Sequence, residues 1–87
     1  MKYQLHINYP NPFNPSTTIE FDLPQTGQVT LKIYNILGEE VATLVSDKLS
    51  AGLYSYEWDA SKIASGVYLY QLEAEGFVQT RKMILMK

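Results

Sequence analysis

Leu23-Pro24-Gln25-Thr26-Gly27 spells the LPxTG pentapeptide that Gram-positive sortases cleave. In that pathway a membrane-spanning run and a basic tail follow the motif; here amphipathic, strand-like residues follow from Gln28 and Val29 onwards. The pentapeptide also lies between two alternating runs that need a turn. Pro24 fixes φ and Gly27 accepts φ > 0, so a turn accounts for every residue. His6 is the one histidine and Cys is absent, which leaves neither a disulfide framework nor the ligands of a transition-metal centre. His6 also lies in an N-terminal segment expected to fray, far in sequence from any Ser in a strained turn. Acid–base work needs positioned groups in a cleft, and a two-layer fold this small has little room for one. The chain therefore reads as a non-enzyme, with no catalytic, cofactor or metal residues assigned. Glu39, Glu40, Asp47 and Asp59 could meet at a loop edge and hold calcium. Without EF-hand spacing, solvated loop charge is the ordinary reading. Pro15 in Asn14-Pro15-Ser16 excludes a glycosylation acceptor.

The 87 residues make one small domain, and 46% hydrophobic against 18% charged residues is too apolar for disorder. Seven Lys plus Arg against nine Asp plus Glu give a net charge of −2, so no basic field exists to hold nucleic-acid phosphates. No apolar stretch approaches the ~20 residues of a membrane-spanning helix, and Met1–His6 carries no secretory apolar region.

The elements that must position any site are strands. Ile19, Phe21 and Leu23 alternate with polar residues, as do Val29, Leu31 and Ile33, and the Pro24–Gly27 turn predicts a hairpin between the two runs. Asn35-Ile36-Leu37-Gly38 predicts a second turn. Glu40–Val45 predicts a third strand with apolar residues on both faces, and Ser46–Gly52 a polar loop. Leu53–Trp58, Val67–Glu73 and Phe77–Met86 complete the set, with Glu75-Gly76 closing the last hairpin. Asp59–Gly66 is a connection with room for one helical turn. Tyr9–Ser16, with Pro10, Pro12 and Pro15, forbids helix and predicts a rigid leader stitched onto the rest. Short strands at regular spacing predict an all-β antiparallel sandwich of about seven strands. Its expected core is Ile19, Phe21, Leu23, Val29, Leu31, Ile33, Trp58, Tyr68, Tyr70 and Leu72. Gly38, Gly66 and Gly76 are expected at positive φ. Tyr54, Tyr56 and Trp58 share a face, which predicts inward packing with hydroxyls at the rim; a sugar-stacking platform is the alternative.

Four blocks resemble a known family in order and spacing. They are Tyr9-Pro10-Asn11-Pro12-Phe13-Asn14-Pro15-Ser16-Thr17-Thr18-Ile19, Leu31–Val41, Ala64–Leu72, and Arg81-Lys82-Met83-Ile84-Leu85-Met86-Lys87. Together they are similar to the type A C-terminal sorting domain of the type IX (Por) secretion system, related to the Ig-like domain of flagellar hook-capping proteins. The resemblance implies an Ig-like β-sandwich at the C-terminus of a larger exported protein. It further implies recognition by the outer-membrane translocon, then attachment by surface machinery with cleavage, or release. Localisation would be the periplasm in transit, then the cell surface or medium. Residues 9–87 would be the sorting domain and residues 1–8 a leader or passenger-linker remnant, with the N-terminal passenger and signal peptide outside the chain. Gly66, Val67, Tyr68, Arg81, Lys82 and Lys87 are the expected translocon-recognition residues. The terminal strand is the expected handle, its basic residues clustered on an otherwise acidic domain. An adhesive or carbohydrate-binding module, or a structural spacer, is the alternative.

Overall fold

Alternating burial marks the strands of a computed structural model that describes residues 1–87. Strands β1 (Gln4–Leu5), β2 (Ser16–Leu23) and β5 (Gly52–Asp59) form a three-stranded sheet in the order β1-β2-β5. Strands β3 (Gly27–Asn35), β4 (Glu40–Leu49), β6 (Gly66–Ala74) and β7 (Phe77–Leu85) form a four-stranded sheet in the order β4-β3-β6-β7. Every strand pairing is antiparallel, and the two sheets pack as a β-sandwich without helix. Lettered A to G in chain order, the A-B-E and G-F-C neighbours follow the immunoglobulin order, with the fourth strand moved to the C sheet.

All ten expected core residues are buried. Leu5, Phe13, Ala60, Ala74, Met83 and Leu85 join them in one cluster. Trp58 meets Phe13 with ring centroids 5.9 Å apart, and Tyr68 edge-on at 5.8 Å.

The expected hairpin between the first two alternating runs does not form. β2 pairs with β5, from Ser16↔Asp59 to Leu23↔Gly52, while β3 pairs with β4 and β6. The Pro24–Thr26 connection instead carries the chain from one sheet to the other. Alternation decides which side chains face inward, but two runs with apolar faces can meet across the core as readily as beside one another. Pro24, which has no N–H to donate, stops the β2 ladder at Leu23.

The expected polar loop after Val45 is also strand, with Ser46↔Thr30, Asp47↔Val29, Lys48↔Gln28 and Leu49↔Gly27 in register. Its side chains are polar because β4 is a sheet edge. The mixed faces of β4 have a definite origin. Leu31↔Val45 is followed by Lys32↔Thr43, and Ile33↔Ala42 by Tyr34↔Glu40, so Leu44 and Val41 are extra residues. These two bulges turn both aliphatic side chains onto the core, where alternation alone would have put them out.

The N-terminus is held rather than frayed. Leu5 is fully buried, Gln4 and Leu5 pair with Asp22 and Phe21, and the His6 N–H donates to the Glu20 carbonyl at 2.9 Å. The leader then bridges both sheets, through Tyr9↔Thr18 to β2 and Phe13↔Leu85 to β7. Gly38, Gly66 and Gly76 take positive φ as expected, at 85°, 153° and 85°. At the β6–β7 hairpin, Glu75 shares the left-handed region at φ 43°, so both central residues have the geometry that lets two residues close the strands.

Candidate recognition surface

The start of β6 is fixed by a tyrosine. The Tyr68 hydroxyl donates to the Ala64 carbonyl at 2.6 Å, four residues back, while its ring lies in the core against Trp58. This is the tyrosine-corner arrangement at the start of the sixth strand of immunoglobulin-like sandwiches. Gly66 supplies the backbone bend, and Tyr68 supplies the anchor. Of the three expected recognition residues here, only Val67 presents its side chain outward, 37% exposed.

The basic residues at the end of the chain do not form one cluster. Arg81 and Lys82 are consecutive on β7 and so lie on opposite faces. Arg81 pairs in register with buried Tyr70, and its Nε donates to the Leu5 carbonyl at 2.7 Å. Lys87 is drawn onto the β5–β6 connection, with Nζ donating to the Ser61 carbonyl at 2.7 Å and its N–H to Ser65 Oγ at 3.2 Å. Lys82 faces solvent opposite Leu69 and has no carboxylate partner, since the ion pairs are His6–Asp22 and Lys32–Glu40. The three cations thus have separate surroundings, two of them structural.

The last strand lies at a sheet edge. The Ile84 N–H donates to Asn11 Oδ1 at 3.0 Å, and its carbonyl accepts from the Phe13 N–H at 3.0 Å. These bonds show that Ile84 turns its backbone away from β6. In an antiparallel ladder alternate residues do the same, so Val78, Thr80 and Lys82 offer their N–H and C=O groups sideways. The leader pairs with the chain-terminal end of this edge. The N-terminal segment packs against β7 through the Arg81–Leu5 bond and through Tyr3 stacked on Phe77, but no strand pairs with Val78–Lys82 on that side.

The outer face of the same sheet is apolar at one end. Val67 lies opposite Ile84, and Tyr34 opposite Leu69, all on the strand phase that points away from the core. At that end the β3–β4 turn exposes Ile36 by 72% and Leu37 by 80%. None of Ile36, Leu37, Leu69 or Ile84 was among the expected site residues. The available signal was two bulky aliphatic residues in the middle of a turn, together with apolar residues on the outward phase of β6 and β7.

The other candidate chemistries have other partners. Tyr54 and Tyr56 are half-buried and stack on Phe21 with centroids 5.4 and 5.8 Å away, which is inward packing. No group of three His, Cys, Asp or Glu side chains is placed to hold a metal ion. The Glu40 carboxyl is held below its usual range by the Thr43 hydroxyl and then Lys32, and Asp59 likewise by the Ser61 N–H. An open cleft of about 290 Å³ on the three-stranded sheet is lined by His6, Glu20, Asp22, Leu53, Tyr54 and Ser55. His6 Nε2 lies 2.9 Å from Asp22 Oδ1, but no hydrogen bond joins His6 to Ser55.

A comparison with curated proteins returns no match. The family model described as the secretion system C-terminal sorting domain matches residues 8–86, nearly the whole chain. A β-sandwich fixed by a tyrosine corner, with an unpaired terminal edge, accords with that match, and the chain belongs to this family of non-catalytic C-terminal sorting domains for type IX (Por) secretion.

Proposed function

We propose that the folded sandwich is the export label of a larger passenger and is read by the outer-membrane translocon at its β6–β7 end. The passenger would precede residues 1–8, pass through the periplasm, and reach the cell surface or the medium, with the label cleaved on attachment. Membership of the family implies secretion across the outer membrane and interaction with the type IX machinery. The observation that carries the finer reading is the unpaired edge of the last strand, Val78–Lys82, with the Lys82 side chain directed outward. A translocon strand adding to that edge gains backbone hydrogen bonds without needing a pocket in the label. Gly66, Tyr68, Arg81 and Lys87 then serve recognition by holding the end of the sheet in shape.

The test joins residues 1–87 to a signal peptide and a reporter in a bacterium with type IX secretion. The reporter is expected outside the outer membrane in the parent host and in the periplasm of a host lacking the translocon. A folded fusion that stays periplasmic in both hosts overturns the reading.

A further inference from the structure

We propose that the apolar end of the four-stranded sheet is the docking surface of the label, and that its partner is a folded protein presenting an apolar cleft with a carboxylate on its rim. The proposal rests on the sorting function and adds a side-chain contact surface to the strand-edge pairing proposed above.

Three observations carry it. Ile36 and Leu37 occupy the middle of a turn, where polar residues and glycine ordinarily sit, and are 72% and 80% exposed. They contribute nothing to the core cluster. The turn that bears them is also pinned. Asn35 Oδ1 accepts from the Leu37 and Glu39 N–H groups at 2.9 and 3.0 Å, and Asn35 Nδ2 donates to Glu39 Oε1 at 2.8 Å. The Gly38 N–H donates to the Asn35 carbonyl at 3.0 Å, and the Asn35 N–H to the Glu39 carbonyl at 3.0 Å. The backbone that carries the two aliphatic side chains is thereby set in place before any partner arrives, which removes its share of the ordering cost of binding. Finally, the apolar surface continues from the turn. Asn35↔Tyr68 and Tyr34↔Leu69 bring the turn to the level of Val67, which lies opposite Ile84.

Charge identifies the partner. Lys82, opposite Leu69, is a cation without an ion pair at the border of this surface. A carboxylate on the partner would meet it and fix the orientation of docking. A lipid bilayer fits less well: its anionic headgroups would spread over the whole end of the sheet and meet Glu39 beside the turn as well as Lys82, whereas a single carboxylate on a protein meets Lys82 alone.

The reporter fusion tests this with Ile36→Ser/Leu37→Ser and with Lys82→Glu, none of which touches the core. The double variant is expected to fold with an unchanged Tm and to fall at least tenfold in export, leaving folded reporter in the periplasm. Lys82→Glu should lower export severalfold, and Lys82→Arg should restore it. Co-expressed free domain should compete with the parent fusion, and the free double variant should not. Parental export of the folded double variant overturns the docking surface, and parental export of Lys82→Glu overturns the carboxylate rim. Dimerisation of the free parent domain that the double variant loses would assign the surface to a second copy and overturn the partner. Sedimentation of the parent with phosphatidylglycerol vesicles, lost in the double variant, would overturn it in favour of lipid. Failure of the parent fusion itself to leave the periplasm overturns the sorting reading and this proposal together, whereas export of parent and double variant alike overturns this proposal alone.

Discussion

Arg81 and Leu5 are joined across 76 residues of sequence by a 2.7 Å hydrogen bond from the guanidinium Nε to the Leu5 carbonyl. The bond ties the terminal strand to the first strand, and it makes a charge from the recognition block part of the fold. Arg81→Gln should therefore lower stability by about 1.5 kcal/mol, the low end for a hydrogen bond to a charged group, because the guanidinium is half-buried. Lys82→Gln, on the opposite face, should stay within about ±0.5 kcal/mol. Urea unfolding followed by Trp58 fluorescence compares them, and equal costs would refute the division. Neutralising Arg81, Lys82 and Lys87 together is consequently no clean test of basic recognition, since two of the three hold the structure.

Tyr70 performs a second closure of the N-terminus. Its hydroxyl donates to the His6 carbonyl at 2.7 Å and accepts from the Asn8 N–H at 2.9 Å. Tyr70→Phe leaves a buried N–H and a carbonyl without their partner and should cost about 1–3 kcal/mol. Burial pushes the phenol above its ordinary value of 10.0. Above pH 10 the unfolded chain releases this proton while the folded one retains it, so this contribution to stability is complete below that pH and is lost as pH climbs beyond it. Urea midpoints between pH 9 and 11.5 should fall more steeply for the parent than for Tyr70→Phe. Parallel profiles would remove Tyr70 from the alkaline transition.

The inward residues of β2, β3, β5 and β6 were legible because period-two alternation reports burial directly. Pairing was less so. The Pro24–Thr26 connection looks like a hairpin turn in sequence, and only the full set of strands decides that β2 lies beside β5. Leu5 and Phe13 escaped notice because each is a single apolar residue in a short or proline-rich segment without a period to expose it. The surface residues divided in a similar way. Arg81-Lys82 reads as a basic cluster along the chain, yet a strand separates neighbours onto opposite faces, and the distant partner of Arg81 has no sequence signature. The bulges of β4 were visible only as a failure of alternation at Val41 and Leu44.

Trp58 joins the leader to the sixth strand, being packed between Phe13 and Tyr68. It is 6% exposed, so Trp58→Ala opens a cavity and should cost about 3–5 kcal/mol. At about 0.05–0.15 kcal/mol per residue, a domain of 87 residues has about 4–13 kcal/mol in all, so this one contact is a large share of it. Calorimetry should show a melting transition that is lost or lowered by tens of degrees. A shift of only a few degrees would mean that the leader does not depend on this contact.

Val67 and Tyr68 are adjacent in the block expected to serve recognition, and the fold gives them different work. Tyr68 is 7% exposed and holds Ala64 through its hydroxyl, while Val67 is 37% exposed and faces away from the core. Tyr68→Phe keeps the ring packing and removes only the hydrogen bond, at a cost of about 0.5–1.5 kcal/mol. Val67→Thr is close to isosteric on the surface and should change stability by less than about 0.5 kcal/mol. Export of the reporter fusion should respond in the opposite order. Tyr68→Phe remains folded with its outer face unaltered and should be exported like the parent, whereas Val67→Asp places a charge inside the apolar surface and should leave folded reporter in the periplasm. Protease resistance of the periplasmic material separates a recognition defect from unfolding. If Tyr68→Phe fails in export while still resistant, the corner itself is read, and the assignment of Val67 to the surface and Tyr68 to the scaffold is wrong.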